Sequence, residues 1–189
     1  MRLFIAIQFD REMKNALIAA QEAFRQQGVR GNYTRSENLH LTLAFIGEYS
    51  DPERVLEAMD AAVGVGAACG SDAAAPEEGC GDDCGPIALK LDGVGAFGDL
   101  WWAGLAENAA LKALVRRLRH ALAEAGIPYD RKKFSPHVTL IRRAATGRYF
   151  RPGEIRVPRA AMRAERISLM CSTQGKHGMI YTELGAADL

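Results

Sequence analysis

Two four-residue segments of this 189-residue chain match each other, His40-Leu41-Thr42-Leu43 and His137-Val138-Thr139-Leu140, 97 positions apart. Each sits in an apolar run of strand type, 39–47 and 136–141. Side chains alternate faces along a strand, so His40 and Thr42 share one face, as do His137 and Thr139. Leu41, Leu43, Val138 and Leu140 turn to the opposite face, where a core belongs. The chain must therefore build two strands that are apolar behind and carry an imidazole beside a hydroxyl in front. Set across a cleft from one another, they offer two acid–base groups and two hydroxyls to one ligand.

The remaining pattern supplies the frame. Residues 2–9 alternate as a first strand, and Asp10 is placed to cap a helix that ends near Gly28, with Met13, Ala16, Leu17, Ala20 and Phe24 at helical spacing. Ser50 or Asp51 caps a second helix with Pro52 in its first turn and Val55, Met59 and Val63 inward. From Gly64 to Pro86 periodicity dissolves into Gly, Ala, acids and Cys, which predicts a long flexible surface loop. Strands are expected at 87–91 and 101–105, then a helix over 109–125 with Leu111, Leu114, Val115, Leu118 and Leu122 inward and Arg116, Arg117 and Arg119 outward. Gly126 ends it. After the second histidine strand come a basic, turn-rich stretch over 146–158 and strands at 166–172 and 179–184. Strands outnumber helices and are joined by hairpin-length links, so an α+β fold with antiparallel sheets is expected. A helix close to each histidine strand suggests an internal duplication.

Composition is ordinary for a globular chain, with 48% hydrophobic and 25% charged residues. A net charge of +1 argues against a uniformly basic nucleic-acid binder, yet 131–166 holds eleven Lys/Arg against two acids, and 48–83 holds ten acids against one Arg. That basic half can attract a phosphodiester, or can simply be a solvated face. The apolar run at 3–7 is too short for a signal peptide or a membrane span, so a cytoplasmic location without membrane association is expected. Cys69, Cys80, Cys84 and Cys171 are read as reduced thiols.

Two histidines suit phosphodiester hydrolysis near neutral pH. One takes the proton of the attacking water and the other protonates the departing oxygen. Threonine hydroxyls and nearby cations stabilise charge on the non-bridging oxygens. No metal or other cofactor is required, and no carboxylate cluster suggests one. His120, in the arginine-bearing helix, is expected to be solvated, and His177 sits in a turn. A Ser135/His137/Asp130 triad is a weaker reading, since no Gly-x-Ser-x-Gly elbow is present. Gly93-Val94-Gly95-Ala96-Phe97-Gly98 has the glycine content of a nucleotide loop, but Trp101-Trp102 strand residues follow it, so a hairpin or loop is expected. Tyr33, Trp101, Trp102 and Phe134 are read as core aromatics, able to stack a base if exposed.

These residues resemble the two-histidine (2H) phosphoesterase superfamily, and within it the RNA 2′,3′-cyclic phosphodiesterases once named 2′-5′ RNA ligases. The resemblance spans nearly the whole chain: Arg2-Leu3-Phe4-Ile5-Ala6-Ile7, the run from Glu37 to Glu48 around the first motif, Gly93-Val94-Gly95-Ala96-Phe97, Leu100-Trp101-Trp102-Ala103-Gly104, Phe134-Ser135-Pro136 before the second motif, Ile167-Ser168-Leu169 and Tyr181-Thr182-Glu183-Leu184. It implies one domain of two similar lobes over 1–189, with two antiparallel sheets and outer helices around a pseudo-two-fold central cleft. It further implies metal-independent opening of an RNA-terminal 2′,3′-cyclic phosphate to a 2′-phosphate. His40 would be the proton donor to the 3′ oxygen, His137 the acceptor that activates water, and Thr42 and Thr139 the phosphate holders. The partner implied is an RNA or oligonucleotide end, with the chain a monomer and no obligate protein partner. An arginine usually follows the second motif. Strict alternation puts Arg143 on the histidine face and Arg142 opposite, and a bulge would reverse them. The alternatives are a 2H enzyme for another small cyclic phosphoester, or an RNA-end-binding or 2′-5′ ligation factor. The 64–86 stretch is longer than that family's usual linker.

Overall fold

The computed structural model describes residues 1–67, 85–176 and 178–189. The opening alternation forms β1 (Arg2–Gln8), and Asp10 caps α1 (Arg11–Gln26), its carboxylate accepting the Met13 N–H at 2.8 Å. That bond satisfies one of the helix's orphan donors. Gly28, at φ 74°, turns the chain out of the helix into β2 (Arg30–Tyr33). Nothing apolar alternates in this short strand, so the sequence does not announce it. A 3₁₀ turn at Ser36–Asn38 leads to β3 (His40–Glu48). Asp51, rather than Ser50, caps α2 (Pro52–Ala67), accepting the Arg54 N–H at 3.1 Å.

That helix runs past Gly64, where the sequence pattern predicts a loop. Extending an existing helix costs far less than nucleating one, so weak formers can be carried along at its end. Residues 68–84, with Cys69, Cys80 and Cys84, lie outside the described residues, as does His177. The glycine-rich stretch is a strand: β4 (Ile87–Phe97) turns at Gly98-Asp99 into β5 (Leu100–Leu105). Asn108 caps α3 (Ala109–Glu124). Then follow β6 (His137–Ala145), β7 (Ala161–Ala164), β8 (Arg166–Gly175) and β9 (Gly178–Asp188). Like β2, β7 is an edge strand without a sequence signature.

Two wholly antiparallel sheets result, in the orders β3-β1-β8-β9 and β2-β6-β5-β4-β7. The α+β expectation holds. Each histidine strand pairs antiparallel with a strand that precedes it in the chain, β3 with β1 across α1 and the short β2, and β6 with β5 across α3. The helices cross over, however. α1 packs on β6 and β7 of the five-stranded sheet, while α3 packs on β3 and α2 on β8 and β9. One buried core ties the lobes together, from Leu3, Ile5 and Ile7 through Phe24 and Leu41 to Leu118, Val138 and Leu169. β3 and β6 approach each other where the sheets meet, bringing the two motifs into one cleft.

Candidate active site

The same irregularity recurs in both histidine strands. Along β3, Thr42 pairs with Ala6 and Ala44 with Ile5, so Leu43 is an extra residue. Along β6, Thr139 pairs with Trp102 and Ile141 with Trp101, so Leu140 is extra. A bulge puts two successive side chains on one side and resets the alternation. Leu43 with Ala44, and Leu140 with Ile141, accordingly all enter the core. Beyond each bulge the cleft face is regained at Phe45 and at Arg142, each three residues past the motif threonine and both lining the cleft. This resolves the arginine pair: Arg142 enters the cleft and strict alternation fails. Arg143 takes a left-handed backbone, φ 52°, and is exposed.

The bulge in β6 has its own support. Gln21 of α1 is buried and donates through Nε2 to the Leu140 carbonyl at 2.9 Å and the Thr34 carbonyl at 2.8 Å. The Thr34 N–H donates to that same Leu140 carbonyl at 2.8 Å. A helix from one lobe thus holds the strand irregularity that aims Arg142 in the other.

Both imidazoles are oriented alike. His40 Nδ1–H donates to the Asn38 carbonyl at 2.7 Å, and His137 Nδ1–H donates to the Ser135 carbonyl at 2.7 Å. A carbonyl can only accept, so the Nδ1 proton is fixed in each ring and Nε2 is the atom that gains or loses one. Asn38 is itself fastened to β9, its Nδ2 donating to the Met179 carbonyl at 2.8 Å. His40 Nε2 meets Thr42 Oγ1 at 3.0 Å. The His40 ring lies 4.9 Å from Phe4 and edge-on to Tyr181 at 5.3 Å. Burial holds its pKa below the ordinary imidazole value, with Arg142 and His137 adding to the depression and the Asn38 carbonyl opposing it.

The cleft has a volume of about 850 Å³. His40, Thr42, His137 and Thr139 all line it, with Arg2, Arg35 and Arg142 and no Asp or Glu among its described lining residues. Three guanidiniums and no carboxylate make an anion site. Arg2 lies over the Phe45 ring at 5.2 Å. Among the described residues no three His, Cys, Asp or Glu side chains are grouped to hold a metal ion.

Other expectations need correction. Ser135 meets His137 through its backbone carbonyl, and the Asp130 carboxylate is engaged with Lys132, so no triad forms. His120 is exposed, as expected, and borders a separate groove between α2 and α3. Trp101 is packed on Phe24 and Phe150, as read, but Trp102 lies on the cleft face beside Thr139 and His137. Tyr33 lines the cleft. Arg117 is directed inward at its Nε, which donates to the Ala62 carbonyl at 3.0 Å. Sequence reasoning missed Arg2, Arg35 and Gln21. Arg2 shares the Phe4 face by alternation, but β1 is apolar on both faces and its cleft side could not be chosen.

The 2′-5′ RNA ligase superfamily model matches residues 13–175. The chain belongs to that superfamily. An RNA 2′,3′-cyclic phosphodiesterase of Geobacillus stearothermophilus is 28% identical over 158 residues, covering 81% of this chain and 45% of the relative. One of Methanocaldococcus jannaschii is 27% identical over 145 residues, covering 74% of this chain and 70% of the relative. The chain thus spans less than half the length of the first relative. A crystallised phosphoesterase superposes with a TM-score of 0.72 at 26% identity, covering 100% of this chain and 97% of that one. No described helix is long and apolar enough to cross a membrane.

Proposed function

We propose that this protein hydrolyses RNA-terminal 2′,3′-cyclic phosphodiesters to 2′-phosphomonoesters by two-histidine acid–base catalysis. The observation that carries the reading is the pair of imidazoles with Nδ1 tied to backbone carbonyls, set in a cleft that bears three arginines and no described carboxylate. Sequence relatives at 27–28% identity bear the name RNA 2′,3′-cyclic phosphodiesterase.

In the proposed reaction a water oxygen attacks phosphorus in line with the P–O3′ bond. His137 Nε2 takes the water's proton as the new P–O bond forms. The P–O3′ bond breaks, and His40 Nε2–H delivers its proton to O3′, leaving the phosphate on O2′. Thr42, Thr139 and Arg142 hold the non-bridging oxygens, where charge grows in the transition state. The depressed pKa of His40 fits a donor that charges only with substrate. A phosphodiester anion beside it favours the imidazolium and offsets the repulsion from Arg142 and His137. The chain would act on RNA or oligonucleotide ends as a monomer, in the cytoplasm and with no cofactor. The proposed organisation is a single domain of two similar lobes over 1–189.

His40→Ala and His137→Ala should each lower kcat roughly 10²–10⁴-fold, the usual worth of a positioned acid or base. Their responses to the leaving group should differ. A nucleoside phosphodiester carrying a nitrophenolate leaving group needs no proton donor, so the His40→Ala defect shrinks on it while the His137→Ala defect persists. The opposite pattern would exchange the two roles, and a variant that kept most of the wild-type rate on the cyclic end would sink the mechanism.

A further inference from the structure

We infer that Phe97 and Trp102 form a nucleobase-stacking shelf on the His137 side of the cleft. The inference rests on the reading of the site as one for RNA ends, and adds to it where a base binds.

The shelf is built by strand register. Gly95 pairs with Trp102 and Trp102 with Thr139, so all three share one face of the sheet, and of the three it is Thr139 that lines the cleft, with Trp102 and Gly95 beside it at its border. Two residues beyond Gly95, Phe97 shares that face. Gly95 is required for the arrangement: a Cβ there would lie 2.2 Å from Trp102 Cζ2 and 2.4 Å from Cη2. The indole therefore lies directly over the bare backbone of β4. Phe97 abuts it with ring centroids 5.2 Å apart and planes 36° from parallel. The same Phe97 ring stands at 89° to His137, centroids 5.4 Å apart.

The two lobes differ here in a way that asks for an explanation. Each histidine has an aromatic pair against it, Phe4 and Tyr181 at His40, Phe97 and Trp102 at His137. Phe4 is buried at 4% exposure, whereas Phe97 is 51% exposed. An aromatic side chain gains nothing by facing water, and this one does so in contact with an imidazole of the cleft. The flat apolar part of an RNA end is its base, and stacking on sheet-mounted aromatic rings is how single-stranded bases are commonly held without sequence readout.

The test compares Phe97→Ala and Phe97→Trp with wild type on three substrates: propane-1,2-diol cyclic phosphate, which has no base, a nucleoside 2′,3′-cyclic phosphate, and a trinucleotide ending in one. Phe97→Ala should raise KM about tenfold for base-bearing substrates, the scale of one lost stack, with kcat and the base-free substrate unchanged. Phe97→Trp should restore KM. If the mononucleotide responds, the shelf holds the terminal base; if only the trinucleotide responds, it holds the adjoining one, and both results support the shelf. An equal loss of kcat on all three substrates would make Phe97 a positioning residue for His137 and overturn the inference. So would KM values that do not move.

Binding provides an independent readout. Titration of a nucleoside 2′-monophosphate against ribose 2-phosphate, followed by calorimetry, should show the Phe97→Ala loss for the nucleotide alone. If wild type turned over none of the three substrates, the proposed function would fall while this titration still decided the shelf.

Discussion

Replacing Gln21 with leucine tests the link between the crossed-over helix and the second histidine strand. Gln21 is 3% exposed, and its side-chain amide reaches two backbone carbonyls, Thr34 O at 2.8 Å and Leu140 O at 2.9 Å. A buried hydrogen bond is worth about 1 kcal/mol net, and an acceptor left without a donor adds to the loss. Leu140 O keeps the Thr34 N–H, so the Thr34 carbonyl bears most of that added penalty. The two bonds and the stranded carbonyl sum to about 3 kcal/mol, and the leucine's apolar burial returns about 1. The net loss is about 2 kcal/mol, and in a chain of this size it lowers Tm by about 4–8 °C.

The functional consequence is local. The Leu140 bulge turns Arg142 toward the cleft, so a relaxed bulge should raise KM for the cyclic phosphate more than it lowers kcat. Urea unfolding, with thermal unfolding beside it, reads the first effect and steady-state kinetics the second. Stability within about 0.5 kcal/mol of wild type, the ordinary range for an inert substitution, with KM unchanged, would refute the view that Gln21 maintains the bulge.

Further consequences concern charge and packing. The His40 imidazolium is disfavoured by burial and by the charges of Arg142 and His137. A proton donor must be charged to act, so kcat/KM should fall as pH rises through a midpoint below the ordinary imidazole value. Arg142→Gln removes one repelling charge and should move that midpoint to higher pH, as should bound phosphate when the His40 ring protons are followed by NMR; a midpoint indifferent to both would contradict the assigned cause. Gly95→Ala places a methyl within the Trp102 ring. It should cost roughly 1–3 kcal/mol, typical of an overpacked site, and red-shift the tryptophan emission as the Trp102 indole is displaced toward solvent; an unchanged spectrum and urea midpoint would show that the ring is not seated as described.

Much of this molecule is legible in its sequence because the two motifs carry several kinds of information at once. His40-x-Thr42 and His137-x-Thr139 mark strand type and core face together and carry the proposed chemistry with them, and the cap at Asp10 and the stop at Gly126 mark helices at their ends. The short edge strands β2 and β7 are not legible, because they bury little and so need no apolar alternation. The choice of Arg142 over Arg143 is hidden for a different reason. It depends on a bulge held by Gln21, 119 residues away along the chain, and a long-range hydrogen bond leaves no periodic trace. Arg2 and Arg35 are likewise ordinary surface arginines until β1 and the turn before β3 bring them to one cleft. The cleft-side place of Trp102 is not legible either, because strand register, not residue type, decides which of two adjacent tryptophans faces the histidine.

The most direct test of the central claim is product analysis of an oligoribonucleotide ending in a 2′,3′-cyclic phosphate, incubated with the purified protein in excess EDTA. The account predicts conversion to a 2′-phosphate end, lost in His40→Ala and His137→Ala proteins that remain folded. A 3′-phosphate product would mean that the other P–O bond is broken. No conversion by folded wild-type protein would contradict the claim outright.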